Sequence, residues 1–167
     1  MTRKKRLSIL IAAMLVFIWG NSLLSREVSG AISDNILVWM NTAAEKLGLG
    51  PDAFTYMNDA DGDGVAEQPT SKWIRKAAHV TEYALFAALV YLRLESGGKK
   101  RFFTAWGLAA LTGALDETLQ IFSHRGSQVK DVLIDTAGAL LGLAVVCLVL
   151  ARRRKALNNA KHPARLI

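Results

Sequence analysis

Residues 115–142, LDETLQIFSHRGSQVKDVLIDTAGALLG, place Asp116, Glu117, Gln120, Arg125, Asp131 and Asp135 inside or beside long apolar runs. A second motif, RKAAHVTEY, adds Arg75, His79, Glu82 and Tyr83 at the start of another such run. Ionisable groups in apolar surroundings are costly and are usually kept for a purpose. Five carboxylates (Glu82, Asp116, Glu117, Asp131, Asp135) cannot all stay ionised in one dry pocket. Some must be protonated, paired or bound to a metal. Three kinds of chemistry fit. His79 or Glu82 can act as a general base, with Asp116 or Glu117 as acid or as ligand to a divalent metal. Arg125 can clamp a diphosphate or carboxylate while Tyr83, Gln120, Asp131 and Asp135 complete a binding site. Alternatively the whole set is a paired network that fixes helix register. No serine or cysteine nucleophile pattern, HExxH or Walker motif accompanies these residues.

The elements that must position them are four apolar blocks, residues 7–24, 73–94, 102–122 and 132–150. Each reaches or approaches the ~20 residues needed to span a bilayer, and none shows the polar stripe of a surface helix. The expected fold is therefore an all-α, four-helix transmembrane bundle in one domain, residues 1–167. His79, Glu82 and Tyr83 share one face of the second block, and Asp116 and Gln120 share one face of the third. Asp131, Asp135, Gly138 and Gly142 form one line along the fourth, where Gly138-Ala-Leu-Leu-Gly142 lets a neighbouring helix approach closely.

Charge sets the direction. The formal net charge is +7, and the positives abut the apolar blocks: Arg3–Arg6, Arg93 with Lys99–Arg101, and Arg152–Lys155. Such placement marks cytoplasmic loops and leaves no basic face for nucleic acid. Residues 21–73 instead carry three positives and eight carboxylates, as an extracytoplasmic segment should. The expected topology is N-in/C-in, with an acidic outer loop over 25–72 and a basic, mobile cytoplasmic tail over 151–167 resting on anionic lipid. The histidine and carboxylate motifs then fall in one layer, roughly 5–15 Å below the outer interface at ~1.5 Å per residue. The inner halves of the spans hold almost no ionisable groups, which argues against a transport path.

Within the outer loop, residues 32–47 have apolar side chains at helical spacing, consistent with an amphipathic helix on the membrane or capping the bundle. Asp59, Asp61, Asp63 and Gly64 match the opening of an EF-hand calcium loop, with Glu67 at its ninth position. The twelfth position holds Thr70 instead of the bidentate glutamate, so an acidic linker competes with a calcium site. Thr70 or Ser71 is placed to cap the second span. The basic start and apolar run of residues 1–24 resemble a signal peptide, but no clear small-x-small cleavage site follows, so an uncleaved first helix is expected. The single cysteine, Cys147, lies deep in the last block and reads as a small apolar side chain.

His79-x-x-Glu82-Tyr83, Asp116-Glu117-x-x-Gln120, Arg125, and Asp131 with Asp135 leading into Gly138-x-x-x-Gly142 together resemble the VanZ-like family of small bacterial membrane proteins. The resemblance covers residues 73–150 well, and more loosely the first span with NSLLSREVSGAISDN; the insert around 59–64 lies outside it. It implies a multi-pass protein of the cell envelope. Through the family's name it also implies a link to teicoplanin (glycopeptide) resistance, with no settled biochemical activity.

Three functional readings follow. One is an enzyme acting on a lipid-linked envelope substrate at the outer leaflet. Another is a binder of an anionic envelope lipid or peptidoglycan precursor, using the same pocket without chemistry. The third is the purely structural network.

Overall fold

The computed structural model describes residues 1–55, 69–122 and 129–161. They form five helices: α1 (Arg3–Ser22), α2 (Arg26–Lys46), α3 (Pro69–Arg93), α4 (Gly98–Phe122) and α5 (Val129–Lys161). No strand occurs among the described residues.

Three differences from the sequence expectation have local causes. The expected outer loop opens as a full helix, α2, which starts six residues before the amphipathic stretch (26 against 32). Ser25 caps it by accepting from Val28 N–H at 3.3 Å. Glu27 in the first turn and Lys46 in the last complement the helix dipole. Gly48, at φ 78°, then takes the left-handed conformation that ends it. Thr70 and Ser71, expected at the start of the second span, lie within α3, whose first described residue is Pro69, a residue suited to the first turn. The last helix does not stop at the Arg152–Lys155 cluster; α5 continues to Lys161, so residues 151–161 are helical rather than a mobile tail. Arginine, lysine, alanine and leucine are all good helix formers, so the charges end the apolar stretch without ending the helix.

α3 is the hub and packs against each of the other four helices, most extensively against α5. Its inward face, Tyr83, Phe86, Ala87 and Val90, meets Ala105 and Ala109 of α4, Ala139 and Leu143 of α5, and Ile18 of α1. The small residues bring backbones together. A Cβ placed on Gly138 would stand 2.6 Å from Val80 O, and one on Gly142 would stand 2.0 Å from Ala84 O. The two glycines are therefore required for the α3–α5 contact.

Side-chain bonds fix the relative directions. Arg93 Nε donates to Ser8 Oγ at 2.9 Å, and Lys4 pairs with Glu95, so the start of α1 lies beside the end of α3. At the other end, Asn21 of α1 reaches Glu82, midway along α3. α1 and α3 are thus antiparallel. Arg101 donates to Tyr91 O and stands 4.2 Å over the Tyr91 ring, which closes the turn between α3 and α4. The Lys4 ammonium hydrogen-bonds Glu95, and its charge adds to the effect, so the Glu95 carboxyl is held below the usual glutamate range.

α1 and α5 are each long and apolar enough to cross a membrane, and only 17% and 28% of their apolar windows are buried inside the protein. α3 and α4 do not meet that standard. They carry the acidic and basic side chains described next.

Candidate functional site

Asp116 and Asp135 are wholly buried, and His79 is half-buried between them. Each offers a donor atom, and the three atoms lie within 4.8 Å of one another. His79 Nδ1 is 3.3 Å from Asp135 Oδ1, an ion-pair distance at an angle outside hydrogen-bond geometry. The sequence explains the meeting. His79 is in the third turn of α3 and Asp135 in the second turn of α5, and the two helices run parallel in the register set by Gly138 and Gly142. Asp116 comes from the far end of α4, which runs the opposite way and so ends at the same level.

Asp116 is held from both sides. Ser22 Oγ donates to its Oδ1, and Gln120 Nε2 donates to Oδ2 at 3.3 Å. The same Gln120 amide donates to Glu117 Oε1 at 2.9 Å. The α4 residues expected from the sequence, Asp116, Glu117 and Gln120, are thus one bonded unit, although Glu117 is turned about 100° from Asp116 around the helix. Glu82 accepts from Asn21 Nδ2 at 3.1 Å. Tyr83 is fully buried in the core, and its hydroxyl has no hydrogen-bond partner among the described residues. Both Asp135 oxygens are in the same condition. Gly113 leaves the space between them: a Cβ there would lie 3.3 Å from Asp135 Oδ2 and 3.6 Å from Tyr83 Cε1.

A cleft of about 100 Å³ opens beside this cluster, between α1, α2 and α3. Its lining mixes polar side chains (Asn21, Ser22 and Ser29, with Ser33, Arg75, His79 and Glu82) with the apolar Ile32, Ile36 and Ile74. α2, expected as part of a loop, therefore supplies about a third of the cleft lining, through Ser29, Ile32, Ser33 and Ile36.

A family model described as VanZ/LLP1 matches residues 7–150. The chain belongs to the VanZ/LLP1 family. The match spans α1 to α4 and α5 as far as Leu150, so it includes every clustered residue and extends through the first helix, where sequence resemblance is looser. Among curated proteins and among solved structures, nothing matches.

Not every sequence candidate joins the cluster of this VanZ/LLP1 chain. Asp131, one turn before Asp135, is half-buried and is not one of the three converging groups. Arg125, and the calcium-like residues Asp59, Asp61, Asp63 and Glu67, lie outside the described residues. Two members were missed: Asn21 and Ser22, the last residues of α1, bond to Glu82 and Asp116. A signal existed, since they are the first polar pair after a long apolar run and end it at the same level as the other motifs.

Proposed function

We propose that this VanZ/LLP1 protein spans the bacterial cell membrane four times, through α1, α3, α4 and α5, with both termini cytoplasmic. In this reading the outer end of the bundle binds the headgroup of an envelope amphiphile, a lipid or lipid-linked peptidoglycan precursor. Occupancy of that site then alters susceptibility to glycopeptides such as teicoplanin. Large apolar side chains exposed on all four helices (among them Val16, Leu85, Leu111 and Leu141) support contact with lipid. Arg3–Arg6, Arg93, Lys99–Arg101 and Arg152–Lys155 gather at the end opposite the cluster, as cytoplasmic ends should.

The observation that carries the binding reading is the cleft itself. Its lining sets isoleucines (Ile32, Ile36, Ile74) beside polar side chains (Asn21, Ser22, Arg75, His79, Glu82), so it suits a molecule with both an apolar body and a polar head. Arg75 supplies a cation for an anionic group, and the Asn21–Glu82 pair supplies hydrogen bonds for hydroxyl or amine groups. The test is mass spectrometry of lipids that stay with protein purified gently from its own membrane, wild type beside Arg75→Gln. A headgroup class enriched on the wild type and lost from the variant supports binding. Bound lipid that merely mirrors the bulk membrane in both refutes it.

A second reading, catalysis on the same headgroup, draws on the His79–Asp135 pair, in which a buried carboxylate lies 3.3 Å from an imidazole that could serve as a general base. The two readings separate on His79→Gln. A catalyst keeps its amphiphile but stops converting it, whereas a binder shows only weakened retention.

A further inference from the structure

A buried carboxylate with no donor is among the costliest groups a protein can hold. Asp135 is 0% exposed, and neither of its oxygens has a hydrogen-bond partner among the described residues. Tyr83, also 0% exposed, has a hydroxyl in the same position, and so does His79 Nδ1. These atoms are not scattered. Asp135 and Tyr83 adjoin across Gly113, and His79 Nδ1 is 3.3 Å from Asp135 Oδ1. Asp116 completes the group within 4.8 Å.

We infer that His79, Asp116 and Asp135 bind one divalent transition-metal ion, of the Zn²⁺ or Mn²⁺ class. One imidazole nitrogen and two carboxylate oxygens are a donor set these ions favour. Two donors at ~2.1 Å from one ion stand roughly 3.4 Å apart in tetrahedral geometry and up to about 4.2 Å apart when opposite each other. The three ligand atoms here lie within 4.8 Å of one another, so side-chain rotations of roughly an ångström bring them to those separations. A cation satisfies the lone pairs of His79 and Asp135 at once and offsets the carboxylate charge. Ser22 and Gln120 donate to the two oxygens of Asp116, the kind of outer contact that orients a ligating carboxylate. Ser22 and His79 also line the cleft, so the ion has a route from solvent. The inference does not depend on which amphiphile, if any, fills that cleft.

The test uses the full chain in detergent, stripped with a chelator and desalted. Metal content after reloading is read by mass spectrometry, and affinity by calorimetry with Zn²⁺ and Mn²⁺. Asp135→Asn and His79→Gln are compared with Asp34→Asn, a change at an exposed position on α2. Expected is one ion per wild-type chain, a rise in thermal midpoint on loading, and the same behaviour in Asp34→Asn. Loss of a direct ligand should weaken binding by roughly 100-fold or more, beyond the 10- to 100-fold typical of outer-shell changes. Co²⁺ gives a second readout, since its visible spectrum should change when the His79 nitrogen is removed. Should Asp135→Asn fail to fold, the wild-type stoichiometry and His79→Gln still decide. A folded wild type that takes up no ion, or a His79→Gln variant that binds as tightly as wild type, overturns the inference and leaves a protonated network in its place.

Discussion

Gly142→Ala should part α3 from α5 and disable the site ten ångströms away. The added Cβ would meet Ala84 O at 2.0 Å, and Ala84 C and Cα at 2.6 Å, all of them backbone atoms that cannot rotate aside. Reaching an ordinary 3.4 Å contact from 2.0 Å requires a local separation of about 1.4 Å. Overpacking in a well-packed interior costs typically 1–3 kcal/mol, and a clash with backbone belongs at the upper end, about 3 kcal/mol. At the few degrees per kcal/mol usual for a chain of this size, the thermal midpoint should fall by roughly 6–12 °C. Asp135 lies seven residues up the same helix, or ~10 Å at 1.5 Å per residue. The 3.3 Å His79–Asp135 approach should therefore lengthen, and retention of ligand should drop with stability. Thermal unfolding in detergent reads the first effect and bound-ligand analysis the second. Gly107→Ala is the control, because nothing lies within 4 Å of its Cβ and the change should be neutral or stabilising by up to ~1 kcal/mol. A Gly142→Ala protein as stable as wild type would refute the close α3–α5 contact and with it the register that assembles the site.

Two further outcomes follow from individual bonds. Ser22→Ala removes a donor from the buried Asp116 carboxylate and should cost about 1–3 kcal/mol in thermal or denaturant unfolding, with no change in helix content by circular dichroism. Lys4→Gln breaks an ion pair whose side chains are 64% and 65% exposed, so the thermal midpoint should not move measurably. The Glu95 carboxyl, now held low by Lys4, should titrate at higher pH in that variant, as read by carbon NMR. The sign is that of a depressed acid: what the pair adds is present above the ordinary glutamate range and is lost as pH falls through the lowered value.

The helical class and most of the site were legible because both rest on short-range pattern. Apolar runs interrupted at helical spacing by His79, Glu82, Asp116 and Asp135 define helices and their polar faces, and alternating direction places those faces at one level. The glycine pair Gly138 and Gly142 pointed to a close helix contact, although its partner, α3, could be identified only in three dimensions. What escaped depends on other kinds of information. The start of α2 is hidden because its cap, Ser25, directly follows Leu23 and Leu24 at the end of the first apolar block, and residues 26–31 (REVSGA) carry too few apolar side chains to show a helical period. The helical continuation past Arg152 is not visible in hydropathy, because a charge cluster ends the apolar run without ending the helix. Ser22 and Asn21 carry no charge, and a serine or asparagine at the end of a helix is ordinary until Asp116 and Glu82 are found against it.

The most direct test of an outward-facing ligand site is thiol accessibility at Ala78, an exposed residue in the wall of the cleft. Ala78→Cys in a Cys147→Ala background would be treated in intact cells with a membrane-impermeant maleimide, beside Leu157→Cys in the basic end of α5. Expected is labelling of position 78 from outside, and labelling of position 157 only after permeabilisation. Labelling of position 78 only after permeabilisation would contradict the proposed topology and remove the envelope-facing site with it.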